Sequence, residues 1–234
     1  RGGPAPVFAG AHGFEVTGVD LVPYNVARAR EHALARHDAV ARTRDPARAY
    51  DAPTPATFLV GDATRLPLRS HSLDAATAID AVVYVPDASA VFGELARVLR
   101  PGGVLVCSDL VAAPETTDDE RAALDAFADA WDMPPLRTVD EYERALGTTG
   151  FEVHDVSDLT ANSVGRFRKY TSLYRAVADA PTGRLLAWLL RRYDLDPETI
   201  DEQVRRAHDA LPALRHVVRS EEHTSELQSR ENLV

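Results

Sequence analysis

Three aspartates, each at the end of an apolar run, are the side chains of this sequence best placed to do chemistry. Asp20 ends the run FEVTGVD, Asp62 follows TFLVG, and Asp80 follows LDAATAI. Each run has the length and apolar content of a buried strand. Ligands of parallel α/β sheets bind outside the carboxyl ends of the strands, where a carboxylate can accept hydrogen bonds from them. We therefore expect a ligand-binding edge at these three aspartates.

Helical segments separate these strands and must hold them in place. Residues 24–42 follow Pro23 with an amphipathic pattern, Asp87 caps a second helix, and Pro101-Gly102-Gly103 ends it. Further strands are predicted over residues 103–110 and 151–159. Strands that alternate with helices predict an α/β fold, a doubly wound and mostly parallel sheet with helices on both faces.

Composition limits the classes of function. The 234 residues are 45% hydrophobic and carry a formal net charge of −10, and the chain shows no basic stripe, which argues against nucleic-acid binding. No stretch approaches the length of a membrane span. Cys107, the one cysteine, cannot form an internal disulfide and is expected to be a buried, unreactive thiol. We expect a cytoplasmic protein without a metal site, because no residues have metal-ligand spacing.

The segment 219–234 breaks the pattern of the rest. Its first part, RSEEHTSELQS, matches the in-frame translation of a common sequencing adapter letter for letter. We therefore predict a non-native tail over 219–234, with a last strand that begins at 214–218 and is cut short. A genuine polar tail is the alternative. The remaining residues, 1–218, are predicted to form one domain.

The order of four motifs carries a family resemblance. They are VTGVDL, FLVGDATRLPL, LDAATAIDAVVYVPD and ELARVLRPGGVLVCSDL, and together they cover residues 1 to about 110. The chain resembles a class I S-adenosylmethionine-dependent methyltransferase acting on a small molecule. The resemblance implies a Rossmann-like fold and transfer of a methyl group from S-adenosylmethionine to an N, O or C atom of the acceptor.

The resemblance also implies roles for the strand-end residues. Asp20, with Leu21 beside it, matches the residue that holds the cofactor's ribose, and Asp62 with Ala63 matches the pair that recognises adenine. Asp80 would lie near the methionine part and the transferring methyl. The alternatives are that Asp20 and Asp80 only cap helices and that Asp62 is a turn residue.

The first residues resemble the end of a family motif. Members begin with a strand that ends in an acid, followed by a glycine-rich turn, and Gly2 and Gly3 would be the last glycines of that turn. We therefore expect the first strand to be missing and the fragment to bind cofactor poorly and be inactive. A flexible terminus is the alternative for these glycines.

The acceptor side is less determined. Some relatives place histidines after the fourth strand, but this chain has Val83 and Tyr84 there, which puts a histidine base at that position in doubt. Asp80 and Tyr84 are the candidate catalytic residues. Segments 111–138 and 160–212 are expected to form the lid and acceptor pocket.

Three side chains in these segments are candidates for the pocket wall. Trp131 is assigned to the pocket or to ordinary core. Arg166 and Tyr170 could meet an acceptor carboxylate, as in sarcosine and dimethylglycine methyltransferases, or stand on a solvated helix face.

Two other functions remain open. The same fold can serve as a non-catalytic binding module. A nicotinamide-dependent oxidoreductase also has an acid at its second strand, but it would lack the GDA and RVLRPGG elements found here.

Overall fold

A computed structural model describes residues 14–41 and 56–223, together with residues 5, 8 and 9. Within them the strands are β1 (Thr17–Asp20), β2 (Thr57–Val60), β3 (Leu73–Ile79), β4 (Leu99–Ala112), β5 (Phe151–Asp158) and β6 (Leu214–His223). The helices are α1 (Pro23–Ala41), α2 (Ala88–Val98), α3 (Asp118–Ala130), α4 (Val139–Gly147), α5 (Thr160–Ala178), α6 (Gly183–Arg192) and α7 (Pro197–Ala210). The chain falls into two compact units, residues 1–69 and 70–234, where the sequence predicted one domain over 1–218.

The first unit is built on two parallel strands. β1 and β2 pair from Thr17 opposite Thr57 to Asp20 opposite Val60. Helix α1 packs on them through buried Val26, Ala29 and Ala33, which meet Phe58, the core that the amphipathic pattern predicted. Gly18 allows this approach, because a Cβ there would lie 2.7 Å from the ring of Phe58.

The second unit contains a four-stranded sheet in the order β3-β4-β6-β5. β3 and β4 are parallel, whereas β6 is antiparallel to both of its neighbours. The described sheets therefore contain two parallel and two antiparallel pairings, which is less parallel than the sequence predicted. Helix α7 ends beside the carboxyl end of β4, where the Ala113 N–H donates to the Ala213 oxygen. The short connection from α7 to β6 therefore brings the chain back into the sheet antiparallel to β4.

Helices cover both faces of this sheet, as predicted. Along β4 the buried side chains alternate, and Leu105, Cys107 and Asp109 lie on the face that also holds Tyr142 of α4. Ser108 points to the other face, towards His216 of β6, which contacts α5 through Ser163. Cys107 is buried and free, and its burial raises the pKa of the thiol, in agreement with an unreactive cysteine.

Local capping chemistry sets the helix starts that the sequence indicated. The carboxylate of Asp87 accepts from the Ala90 N–H at the start of α2. Thr138 and Glu141 form a reciprocal capping box at the start of α4. Helix α2 ends at Val98, and Gly102 takes a left-handed conformation with φ 77° within the strand that follows. The chain thus passes from helix to strand between Val98 and Leu99, before the Pro-Gly-Gly segment that was predicted to end the helix, and that segment lies within β4.

The last strand does not end at Val218, the position after which the sequence analysis predicts a non-native tail. β6 continues to His223, with Arg219 opposite Cys107 and Glu221 opposite Leu105. Any residue other than proline can extend such a ladder, because the bonds come from the backbone. The side chains fit less well. Arg219, Glu221 and His223 are buried, and among the described residues the guanidinium nitrogens, both Glu221 carboxylate oxygens and His223 Nδ1 have no hydrogen-bond partner.

None of the helices in the part of the chain that the structure describes has the length and apolar character needed to span a membrane.

Replacing two of the three mismatched side chains, Arg219 and Glu221, should stabilise the second unit. We expect R219L/E221V to raise the free energy of unfolding by about 2 kcal/mol, because buried charges exchanged for apolar groups commonly stabilise a fold. Glu222→Val on the same strand, at a half-exposed side chain paired with His154, is the control and should change stability by less than about 0.5 kcal/mol. Urea unfolding measures both, and a less stable double variant would contradict this account of β6.

Glu221 should also make the free energy of unfolding depend on pH. Burial raises the pKa of Glu221 from 4.5 to about 7, so between these values the folded chain binds a proton that the unfolded chain releases. Stability should therefore fall by about 2 kcal/mol as pH rises from 4.5 to 7. Glu221→Gln should remove this part of the pH dependence in urea titrations at both ends of the range. An unchanged profile in the variant would show that Glu221 is not buried as a carboxyl group.

Candidate functional site

The first unit brings two of the predicted aspartates to one edge. Asp20 ends β1, and the Gly61 N–H just past β2 donates to its backbone oxygen at 3.1 Å. Its carboxylate accepts from the Val22 N–H at 2.8 Å and from the Asn25 side chain. Asp20 thus holds the start of α1, which is the capping role that the sequence analysis left as an alternative. These bonds also fix the direction of the carboxylate at the strand end.

Asp62 lies at the neighbouring strand end. Its Oδ1 accepts from both the backbone N–H and the hydroxyl of Thr64, at 2.8 and 2.7 Å. These hydrogen bonds lower the pKa of this exposed carboxyl, so it is ionised at neutral pH. The turn explains the sequence GDAT, and it presents Asp62 and Ala63 at the same edge as Asp20.

The second unit contains a cavity of about 280 Å³ at the carboxyl ends of β3 and β4. Its wall is mostly apolar, with a few polar groups. The lining residues are Asp80, Val83, Tyr84, Leu110, Phe127, Trp131, Met133, Ser163, Val164, Phe167, Leu214 and His216. An apolar cavity with a few converging polar groups is the usual form of a small-molecule site.

Asp80 reaches this cavity through an unusual backbone conformation. It follows β3 with φ 47°, in the left-handed region that costs energy for a residue with a Cβ. Its N–H donates to the Ser108 oxygen at 2.7 Å, which anchors the turn to β4. Its Oδ1 lies 3.4 Å from Nε2 of His216. The predicted aspartate is therefore paired with a histidine across the cavity.

His216 is the site residue that sequence reasoning missed. It lies on β6, its side chain is 14% exposed, and it meets Asp80 and Ser108 on one side and Ser163 on the other. The signal in the sequence was a single histidine in the alternating segment LRHVV. The alternation in that segment predicts a strand, but it does not predict that the strand lies between β4 and β5.

Below the cavity lies a buried carboxyl that the sequence analysis also passed over. Asp109 accepts from the Val83 N–H and from the Cys107 thiol. Its burial raises its pKa to about 6. Burial, with the charges of Asp80 and Asp109, also raises the pKa of the Tyr84 hydroxyl, which lines the cavity and therefore stays protonated. Asp109 fixes the Val83–Tyr84 turn rather than facing the cavity.

The other predicted residues are placed as follows. Trp131 lines the cavity, beside Phe127 with ring centroids 6.2 Å apart. Leu21 is 66% exposed next to Asp20. Gly2 and Gly3 lie outside the described residues.

The placement of Arg166 and Tyr170 at the pocket wall requires correction. Both side chains are exposed, Tyr170 by 69%, and neither lines the cavity. The helical period turns Val164 and Phe167 of α5 inward instead. The solvated face that was the alternative for these two side chains is the one the structure shows.

Among the described residues, no group of three or more His, Cys, Asp or Glu side chains is arranged to hold a metal ion.

Comparison with known proteins bears on this architecture. Residues 1–107 match the family described as methyltransferase domain. Residues 1–107 therefore resemble a methyltransferase domain, the family that the sequence motifs also indicated. The match covers the four motifs up to the middle of β4.

Two individual methyltransferases are also similar to this chain in sequence. The O-methyltransferase cnsE of Penicillium expansum is 36% identical over 105 residues, which is 45% of this chain and 37% of that protein. Methyltransferase GfsG of Streptomyces halstedii is 30% identical over 117 residues, 50% of this chain and 42% of that protein. The chain thus spans less than half the length of these two curated relatives.

The likeness of fold extends further than the likeness of sequence. The geranyl diphosphate C-methyltransferase from Streptomyces coelicolor A3(2), solved with Mg²⁺, geranyl diphosphate and S-adenosyl-L-homocysteine, superposes with a TM-score of 0.63. It is 18% identical, and the alignment covers 96% of this chain and 68% of that chain. This chain therefore shares the Rossmann-like fold of that enzyme well beyond residue 107.

The conformation of Asp80 leads to a prediction. Asp80→Ala should lower the free energy of unfolding by about 1 kcal/mol, because alanine has neither the local hydrogen bonding nor the flexibility that the left-handed region requires. Asp80→Gly should unfold at nearly the same urea concentration as the natural sequence, because glycine adopts this conformation without strain. Equal loss of stability in the two variants would contradict a strained backbone at this position.

Proposed function

We propose that this domain transfers a methyl group from S-adenosylmethionine to a small, largely apolar acceptor. The observation that carries the proposal is the pair of aspartates at adjacent parallel strand ends, within the family's own motifs. The cofactor of this family is S-adenosylmethionine. When bound, it supplies an activated methyl group on a positively charged sulfur. The chain's task is then to bind, orient and exclude water.

The residues present fit the cofactor. The Asp20 carboxylate offers two oxygens to a ribose diol, and its bonds to Val22 and Asn25 hold it in place. Asp62 can accept from the adenine amine while the Ala63 N–H donates to the ring. These assignments rest on the match of this chain to the family motifs.

The cavity of the second unit suits the acceptor. Leu110, Phe127 and Phe167 offer apolar surface for the body of a small molecule, and Asp80 stands among them as a polar group. The Tyr84 hydroxyl, held protonated, can donate a hydrogen bond and orient the acceptor. Trp131 closes the wall from the end of α3. The segments 111–138 and 160–212 contribute part of this wall, with Phe127, Trp131 and Met133 from the first and Ser163, Val164 and Phe167 from the second.

The remaining proposals follow from composition. The net charge of −10 and the single buried cysteine support a cytoplasmic protein that does not bind nucleic acid. A non-catalytic binding module with the same fold remains the second candidate, because the aspartates also have structural hydrogen bonds. The nicotinamide-dependent oxidoreductase is disfavoured, because the match to the methyltransferase family includes the motif around Asp62.

Nuclear magnetic resonance can test cofactor binding even if it is weak. Titration with S-adenosylhomocysteine to millimolar concentration should shift the amide signals of residues 20–22 and 61–64. Asp20→Asn should weaken binding by about tenfold, because it removes a charged acceptor of the ribose hydroxyls. The control is Asp196→Asn, the same change at an exposed helix cap of α7. Absence of shifts at these amides would overturn the proposal.

Methyl transfer itself separates the enzyme from the binding module. Isotopically labelled S-adenosylmethionine is incubated with phenol, amine and carboxylate acceptors, and mass spectrometry detects labelled product. We expect little label, in line with the prediction that this chain binds cofactor poorly, and we expect what label forms to be in acceptors with an apolar body. Cofactor binding without label in any acceptor would favour the binding module.

A further inference from the structure

His216 has a hydrogen-bond arrangement that the proposed methyl transfer does not yet use. Its Nδ1 lies 2.9 Å from the Ser163 hydroxyl, and its Nε2 lies 2.8 Å from the Ser108 hydroxyl. The ring lines the cavity and is otherwise almost fully buried. Both nitrogens therefore have defined partners.

These partners determine which nitrogen carries the proton. The Ser163 hydroxyl donates to the Leu159 backbone oxygen at 3.0 Å, so its single proton is already used. It can only accept from His216, which places the ring proton on Nδ1. In the neutral imidazole Nε2 is then the basic atom, and the Ser108 hydroxyl can donate to it. The basic nitrogen thus lies beside Asp80 at the cavity, and an acceptor hydroxyl has to replace the Ser108 hydroxyl at its lone pair.

Asp80 completes the pair. Its Oδ1 is 3.4 Å from Nε2, close enough to stabilise a positive charge on the ring once a proton has been accepted. The left-handed turn, and the hydrogen bond from the Asp80 N–H to the backbone oxygen of Ser108, hold the carboxylate in this position. In the usual histidine base the carboxylate accepts from the nitrogen that is not the base. Here Asp80 lies beside the basic atom itself, so it can accept a hydrogen bond from Nε2 once that atom is protonated.

We propose that His216 is the general base for a hydroxyl acceptor, with Asp80 stabilising the imidazolium. This inference rests on the proposed methyl transfer and specifies its acceptor as a phenol or alcohol. The acceptor oxygen bonds to the methyl carbon, the carbon–sulfur bond breaks with its electron pair left on sulfur, and the hydroxyl proton passes to Nε2 of His216. The proton later leaves to solvent. No oxidant or reductant is needed.

Other groups at the cavity are poorly suited to accept this proton. Burial raises the pKa of Tyr84, so its hydroxyl keeps its own proton. Ser108 and Ser163 are neutral hydroxyls engaged with the ring. Asp80 also lines the cavity, but a carboxylate is intrinsically a weaker base than an imidazole. The remaining lining residues are apolar, among them Leu110 and Phe167.

A chromogenic phenol tests the base without cofactor. 4-Nitrophenol is titrated with the full chain at a pH below its own pKa, where the free probe is mostly colourless, and the phenolate absorbance is recorded. The natural sequence should bind part of the probe as phenolate. His216→Asn, whose amide can still donate to Ser163, should bind it with at least about tenfold less phenolate. His208→Asn is the control, because His208 pairs with Thr171 away from the cavity.

The ring proton can be located directly. Nitrogen chemical shifts of His216 in long-range proton–nitrogen spectra should show the Nδ1–H form, and Ser163→Ala should mix the two forms. A base role predicts both this tautomer and the phenolate signal. Equal phenolate absorbance in the natural chain and His216→Asn, or a proton on Nε2 in the natural chain, would overturn the inference.

Rates of methylation of two different phenols distinguish a failure of this inference from a failure of the proposed function. His216→Asn should slow methylation of an ordinary phenol by about 10²-fold, and should slow 4-nitrophenol much less, because that acceptor ionises unaided. If the proposed function fails, no acceptor is methylated, while the tautomer and absorbance results still report on His216. If only this inference fails, methylation proceeds and both acceptors respond equally to the substitution.

Discussion

The ladder between β4 and β6 is the interaction on which the second unit depends. It runs antiparallel from Val104 opposite Glu222 to Ala112 opposite Leu214. It joins the parallel pair β3–β4 to β5 and brings the start of β6 to the carboxyl end of β4. Because side chains alternate across a strand, His216 and Ser108 then share one face and Arg219 and Cys107 the other. The cavity and the buried mismatch are thus two sides of one strand.

Local sequence was enough to predict the elements and the strand-end acids. The positions of Asp20, Asp62 and Asp80 follow from where apolar runs stop, and the start of α4 follows from the capping pair Thr138 and Glu141. Such features are set by residues a few positions apart. They depend little on the rest of the fold.

Contacts between distant segments could not be predicted in the same way. His216 meets Asp80 only because β6 enters the sheet between β4 and β5, and one sequence does not reveal strand order. The sequence predicted the helix that carries Arg166 and Tyr170. Which face of that helix turns to the cavity depends on the packing of Val164 and Phe167, which the sequence does not show. The extension of β6 beyond Val218 likewise depends on neighbouring backbones rather than on its own polar side chains.

At the left-handed turn of Asp80, the charge of the side chain could be changed without changing the backbone conformation. Asparagine is the other side chain that tolerates this conformation readily, and it nearly matches aspartate in size. A single amide at this position would therefore preserve the backbone, the anchor to Ser108 and the reach towards His216, while removing the negative charge. The fold thus offers a way to vary the electrostatics of the cavity without disturbing its geometry.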